Sequence, residues 1–593
     1  MNQDPGALYS QAERAFQEGR FADARRSLVA VEPLVPGHPA IPHMRGLVER
    51  RLGNHEESQS AFRRAIRLAP DDPQLANNHG NLLSDRGDLE AALGEYDRAV
   101  QLSPGFAQAR LNAAITLRQL GRHADARAAF QELVRREPGD VAAWNAWGVL
   151  EREAGDLDRA AELFARALEL KPGHVRAAKG LAGVARLQGD PAAASLYARA
   201  ARLDPQDRGL IIEEAEVRAA DGDPRATERL AASIRADPAW AQGQDALARI
   251  RWEQGDSDGF LDELEKALAQ MPANAALWAR YIGMLVDAGR FRQAADAALA
   301  ARTHFGDDPG LMLSEAAYAG LAADHERAER LFSRLPRDTA GRALPEARHR
   351  IRLAQFERAS ALLDRSRAAD PGSIEAWSLT ELLWRATGDE RSSWLSRQPG
   401  LVRQQELGLG EEEWQQATML LREIHKSRAR PLGQSLREGT QTRHRLFDRR
   451  ETALGPLRTA VESAIRSYVE ALPPADPEHP LLRHRTAGLA LAGSWSVRLA
   501  ASGHHVSHVH PEGVISSACY VAVPDLDSAS REGWLELGAP PRDLDLPVEP
   551  LALVQPRPGR LVLFPSYLFH GTRPFRSGER LTVAFDVTPA KPG

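Results

Sequence analysis

A glycine recurs every 34 residues through the first part of this chain, at Gly53, Gly87, Gly121 and Gly155, and no other feature restricts the possible fold as tightly. Pro70, Pro104, Pro138 and Pro172 keep the same step, and so do Phe62, Tyr96, Phe130 and Phe164. Three registers at one period mean one structural unit, repeated. Each unit reads as two amphipathic helices, with the glycine at the turn between them and the proline just beyond the second helix, where it stops the helix. Gly46, Gly80, Ala114 and Gly148, with Ala65, Ala99 and Ala167, put small residues where two antiparallel helices must approach closely. A single unit cannot bury its own apolar face, whereas stacked units bury a continuous one.

This pattern resembles the tetratricopeptide repeat, a helix-turn-helix unit of 34 residues, and the resemblance implies an all-α superhelix with a concave surface for partners. It is most regular over 39–205. It loosens with Gly189, Gly222, Gly255 and Gly289, and is degenerate after 310, so the array is expected to occupy 1–400 as roughly ten hairpins. Asn78 and Asn112 stand at the same repeat position on first helices. They resemble the asparagine ladder of the O-GlcNAc transferases, which holds an extended peptide by its backbone amides, a task suited to a carboxamide's paired donor and acceptor. The other reading is that they are solvated or satisfy a helix-helix contact.

Composition narrows the class further. The chain has 593 residues, 43% of them hydrophobic and 26% charged, which suits several folded domains rather than disorder. Its 76 basic and 81 acidic residues nearly cancel, so no global charge marks a nucleic-acid or membrane binder. The single cysteine, Cys519, excludes an internal disulfide framework or a cysteine-ligated cluster and reads as a buried small hydrophobe. With neither a basic, apolar leader pattern at the N-terminus nor a long apolar run, the expected location is cytoplasmic.

Past Gly400 the periodicity ends, and 401–475 reads as a helical linker and basic loop leading into a second domain. From Arg422 to Arg450 there are nine Lys/Arg against three acids, without the interleaved aromatics of a base-stacking surface. The run therefore reads as a loop that pairs with acidic helices or edges an active site. Leu454 to Leu472 is an amphipathic helix ended by Pro473-Pro474. From Ser494 the hydrophobic period changes to two, through Trp495, Val497 and Leu499, then Ile515–Val523, Trp534–Leu537, Arg560–Pro565 and Arg580–Val587. Short strands separated by turns, with no helices between them, predict an antiparallel sandwich or jelly roll over 476–593.

Within this β region, His508 and His510 are two residues apart on an extended segment, so both can project to one face and share an ion. His570 is a third candidate ligand. Arg580 opens Arg580-Leu581-Thr582-Val583-Ala584-Phe585, in which the even positions share one face and the apolar odd positions the other. The order HxH, distant H, then RxT resembles the double-stranded β-helix of the Fe(II)/2-oxoglutarate-dependent oxygenases. The segments QSLREGTQT, SWSVRL, HVHPEGVISSACYV, LVLFPSYLFHGTRPF and ERLTVAF resemble, more narrowly, bacterial 2OG-Fe(II) oxygenases that carry tetratricopeptide repeats upstream.

That resemblance implies Fe(II) held by His508, His510 and His570, with positions left open for 2-oxoglutarate and dioxygen. Arg580 and Thr582 would hold the cosubstrate's distal carboxylate, with Tyr520 beside it. One residue departs from the common pattern: His510 stands where the usual triad has a carboxylate. Glu512 is the nearest alternative, but an extended i+4 residue lies about 13 Å from the first ligand at ~3.3 Å per residue, so it needs a turn at Pro511. By strand parity His505 faces away from His508. The expected function is a dioxygenase, a hydroxylase acting on a protein or peptide recruited by the repeats. Two alternatives stay open: a scaffold with a silent cupin-like domain, and a three-histidine metal enzyme that does not use 2-oxoglutarate. Arg580→Ala separates them.

Overall fold

A computed structural model describes residues 4–525 and 529–589, which form two compact units, one up to Ala185 and one from Arg186 onward. Among the described residues, helices follow one another from Pro5–Gln17 to Arg391–Ser396. In the first unit the repeat registers do what their chemistry requires. Gly53 and Gly87 adopt φ of +79° and +82°, the left-handed conformation that lets the chain reverse between helices at little cost. Helices His55–Leu68 and Leu89–Leu102 each end two residues before their proline. Phe62, Tyr96, Phe130 and Phe164 are fully buried between helices.

The small-residue register has a measurable reason. A Cβ built on Gly46 would lie 2.8 Å from the Phe62 ring, one on Gly80 2.7 Å from Tyr96, and one on Gly148 2.8 Å from Phe164. The aromatic of the second helix therefore fills the space that the first helix leaves open. Gly148→Val is expected to cost about 1–3 kcal/mol by overpacking this contact, read as a lower urea midpoint with an unchanged m-value. A change of a few tenths would mean that the helices separate without penalty.

Asn78 and Asn112 lie on the helices Pro73–Asp85 and Ala107–Gln119. Asn78 Nδ2 is 2.8 Å from His43 Nε2, and Asn112 Nδ2 donates to Asn77 Oδ1 at 2.9 Å and to Asn81 Oδ1 at 3.0 Å. Both amide groups thus tie neighbouring first helices together within the array.

In the second unit the hairpins continue through the stretch where the sequence register fades, as Pro309–Leu321 with His325–Arg334 and Ala343–Arg352 with Phe356–Ala369. The period slips to 33 where second helices shorten, from fourteen residues in Leu157–Leu170 to eleven in Ala193–Leu203 and nine in Glu228–Ala236. Among the described residues no helix is long and apolar enough to cross a membrane.

Among the described residues the β region of this unit is a jelly roll of nine antiparallel strands: β1 Arg403–Glu406, β2 Leu436–Gln441, β3 Leu489–His505, β4 Ile515–Ala522, β5 Leu535–Leu537, β6 Ala552–Val554, β7 Arg560–Pro565, β8 His570–Thr572 and β9 Arg580–Pro589. Six form a sheet in the order β1-β7-β4-β9-β3-β2, and β6-β5-β8 form a second. Two of these strands, β1 and β2, lie in the span expected to be linker and basic loop. The four residues of β1, Arg-Gln-Gln-Glu, are all polar and carry no alternation to read, and β1 becomes a strand by pairing with β7, more than 150 residues away. The helix Gly455–Ala471 packs Leu457, Val461, Ile465 and Tyr468 into one core with Leu581, Val583 and Phe585. The odd positions of β9 are thereby committed to the core, and Arg580, Thr582 and Ala584 turn to the opposite face, as parity predicted.

Candidate metal centre

His570 begins β8, and the backbones of His508 and His570 pair antiparallel, each N–H donating to the other's carbonyl at 3.0 and 2.9 Å. This bridge fixes two of the three imidazoles relative to each other. His510, two residues on, completes a cluster in which the potential ligand atoms of His508, His510 and His570 all lie within 4.8 Å of one another. Gly513 N–H donates to His510 carbonyl, so the chain turns at once after the third histidine. Despite that turn, Glu512 is exposed and stays outside the cluster.

The orientation of each ring is set at Nδ1. His508 Nδ1 lies 2.9 Å from Val506 carbonyl, His570 Nδ1 3.0 Å from Leu568 carbonyl, and His510 Nδ1 2.6 Å from Asp586 Oδ1. A carbonyl or carboxylate at Nδ1 requires that nitrogen to carry the proton, which leaves Nε2 with its lone pair free on all three rings. Burial pushes the pKa of His508 down to about 3, aided by His510, and holds His570 well below the usual range. Neutral imidazole is the form that binds a metal. His508 Nε2 and His510 Nε2 are 3.1 Å apart. That is close to the separation of two imidazole nitrogens at right angles on an ion about 2.1 Å from each. The residues fit a divalent metal.

Arg580 is only 3% exposed. Its Nη1 donates to Gly533 carbonyl at 2.7 Å and its guanidinium lies over the Tyr520 ring, 4.9 Å from the centroid. It forms no ion pair among the described residues, and its buried Nε and the buried Tyr520 hydroxyl lack a hydrogen-bond partner of normal geometry, although the two groups are near enough to influence each other's charge. A desolvated arginine with an unused donor is what a carboxylate ligand requires. Arg580 and Thr582 line the same cavity as the three histidines, with Trp495, Val497 and Leu535 as apolar wall. Tyr520 is buried against Arg580 and is not among those lining residues.

Two features differ from the reading of the sequence. His505, expected to face away, stacks on His508 with ring centroids 5.7 Å apart, and Ser435 Oγ sits 3.0 Å from His505 Nδ1 and 3.1 Å from His508 Nε2. Parity fails because β3 ends at His505 and the chain bends at Ser507 before His508. Asp586 was overlooked. It accepts from Ser516 Oγ at 3.0 Å as well as binding His510, and Ser516 reaches Ser566 Oγ at 2.9 Å. Its signal was present, since 586 continues the even positions 580, 582 and 584 that face the site. Cys519 is fully buried, and burial pushes its thiol up to about 12, so it has no nucleophilic role.

This geometry coincides with what the comparisons find. Residues 493–586, which contain all three histidines and the arginine, match the family described as "Putative 2OG-Fe(II) oxygenase", and tetratricopeptide repeats match over 9–73, 43–107, 77–141, 111–175 and 145–208. The chain carries tetratricopeptide repeats followed by a region that matches a 2OG-Fe(II) oxygenase family model. That family implies Fe(II), 2-oxoglutarate and dioxygen at a site of the kind described above.

Solved structures similar to this chain include PilW, a type IV pilus biogenesis factor, with 20% identity, a TM-score of 0.33 and coverage of 35% of this chain and 98% of that one. A tetratricopeptide repeat protein from Parabacteroides merdae has 18% identity, a TM-score of 0.35 and coverage of 42% and 98%. YrrB, titled a tetratricopeptide protein with an unusual peptide-binding site, has 16% identity, a TM-score of 0.26 and coverage of 31% and 95%. Comparison with curated proteins returned no match.

Proposed function

We propose that the chain is an Fe(II)/2-oxoglutarate-dependent hydroxylase whose substrate is a protein or peptide recruited by the repeats. The observation that carries this reading is the pairing of three convergent Nε2 atoms, each freed by an acceptor at Nδ1, with a buried arginine that has no carboxylate of its own among the described residues. His508, His510 and His570 would hold the iron, and Arg580 with Thr582 the distal carboxylate of 2-oxoglutarate. Together these cofactors supply an oxidant that inserts one atom of dioxygen into a substrate C–H bond while 2-oxoglutarate becomes succinate and carbon dioxide.

The protein's own part is positioning. Asp586 holds the His510 ring, the backbone pairing of His508 with His570 fixes the spacing of those two ligands, and the apolar wall of Trp495, Val497 and Leu535 limits water beside the reacting atoms. An array of this length exceeds what a small metabolite needs and favours a macromolecular substrate.

The test uses the full chain, purified without oxygen and given Fe(II), 2-oxoglutarate and air. Succinate is expected to form with iron and to stop when the iron is chelated. A chain that binds iron but takes up no 2-oxoglutarate in an anaerobic calorimetric titration would overturn the reading and leave the scaffold role.

A further inference from the structure

The basic run from Arg422 to Arg450 resolves into two groups. Most members have partners or stand in water: Arg422 pairs with Glu579, Arg443 with Glu253 and Arg450 with Asp190, while Lys426 and Arg428 are exposed. Arg430 and Arg437 differ. Both are half-buried, and among the described residues neither has a carboxylate within 4 Å. Their guanidinium groups converge instead on a single carbonyl, that of Gln434, which accepts from Arg430 Nη1 at 3.1 Å and from Arg437 Nη1 at 3.0 Å.

This pair is held in place from the repeats. Trp252, at the end of the helix Ala241–Glu253, donates its Nε1–H to the Arg430 carbonyl at 2.9 Å and presents its ring to the Arg430 guanidinium, 5.1 Å from the centroid. Arg437 donates also to the Leu436 carbonyl at 2.9 Å. Among the described residues the hydrogen bonds of both side chains use Nη1, so the Nε and Nη2 edge remains for a ligand. Arg437 lines a cavity of about 680 Å³ together with His508 and His510 and with Val286 and Phe291 of the repeats; Arg430 stands outside that lining and is joined to it through Gln434, which belongs to it. Three acids share that lining: Asp287 bonds Arg249 at 3.1 Å, Asp586 bonds His510, and Glu512 is exposed and, among the described residues, pairs with neither arginine.

We infer that Arg430 and Arg437 form a substrate subsite for a carboxylate at the mouth of the metal centre. The identity of the cavity as a substrate site rests on the hydroxylase reading; the anion site itself rests on the arginine pair. Two planar forks sharing one acceptor match a carboxylate's two oxygens, and partial desolvation strengthens each charge-assisted bond. Burial, together with Arg437, lowers the pKa of Arg430 to about 10, and burial lowers that of Arg437, so a bound anion relieves a repulsion that the protein alone leaves in place. A carboxylate can arrive as an acidic side chain of a peptide or as a small free acid.

Binding is tested on the full chain with a fluorescein-labelled ten-residue Gly/Glu peptide, its Gly/Gln twin, its Gly/phosphoserine twin and glutarate as competitor. The Glu peptide is expected to bind wild type at least tenfold more tightly than the Gln twin. Arg437→Gln should erase that preference and Arg430→Gln should reduce it several-fold. Arg437→Lys, which keeps the charge but not the fork, should retain part of it. Arg580→Gln should leave it unchanged, so loss of 2-oxoglutarate binding and loss of peptide preference are separable. Displacement of the peptide by glutarate in the Arg580→Gln chain supports the site and assigns it to a small acid. Equal binding of the Glu and Gln peptides, persistence of the preference in Arg437→Gln, or binding of the phosphoserine peptide alone would overturn the inference.

Discussion

Arg580→Gln is expected to weaken 2-oxoglutarate binding by at least 100-fold while the chain still takes up one metal ion. The expected loss follows from desolvation. Arg580 is 3% exposed and its one direct acceptor among the described residues is the Gly533 carbonyl, so a carboxylate entering the cavity meets a full positive charge with donors to spare. A hydrogen bond to a charged group contributes about 1.5–3 kcal/mol, and a bidentate pair makes two, which sets the lower bound at roughly 3 kcal/mol, or about a hundredfold. Arg580→Lys keeps the charge without the fork and should fall between. Stability should move the other way. A buried cation with no counter-ion is costly to the folded protein, so the neutral glutamine is expected to leave the midpoint of thermal unfolding unchanged or higher. Calorimetric titration of 2-oxoglutarate under anaerobic conditions reads the first effect, and a melting curve of the metal-free chain reads the second. A variant that binds 2-oxoglutarate normally but melts several degrees lower would make Arg580 a structural residue.

That opposition between function and stability also explains what sequence reasoning can reach. The repeat registers were legible because each residue's task is local: Gly53 reverses a chain, Gly80 admits the ring of Tyr96, and neither needs knowledge of the rest of the fold. Arg580 was legible because the parity of β9 is fixed by Leu581, Val583 and Phe585, whose burial leaves the arginine one side to face. His505 defeated the same argument, since parity holds only while the strand lasts, and the strand ends at His505 itself. β1 and the Arg430–Arg437 pair were illegible for another reason. Their meaning comes from partners far along the chain, β7 in one case and Trp252 in the other, and no local pattern encodes a pairing across more than a hundred residues. Asp586 lies between these cases: its face could be read from parity, while its task became visible only when His510 was found at 2.6 Å.

Asp586→Asn is expected to lower metal affinity by roughly 10–100-fold, the usual cost of removing a carboxylate that supports a histidine ligand. Three neutral imidazoles leave a bound divalent ion with its full charge. The position that holds a carboxylate in the common triad is occupied here by His510, and the nearest carboxylate stands one residue further out, on that histidine's Nδ1. Asp586 therefore donates charge through the ring rather than directly, and fixes the tautomer that leaves Nε2 unprotonated. Asparagine keeps the shape and can still accept from Nδ1–H through its oxygen, but it brings no charge, and its amide can turn to donate and so favour the wrong tautomer. Ser516→Ala removes only the hydroxyl that steadies Asp586 at 3.0 Å and should cost less than the asparagine variant. The measurement is competitive metal titration of the full chain at fixed pH, with melting of the metal-free protein as the control for folding. If Asp586 serves the metal, affinity falls while the metal-free melting point holds. If both variants bind metal as wild type does, His510 owes its orientation to packing alone and the charge of the centre is set elsewhere. If the metal-free melt drops with affinity in Asp586→Asn, the Asp586–Ser516–Ser566 chain is first a brace between β4 and β9, and its effect on the metal follows from that.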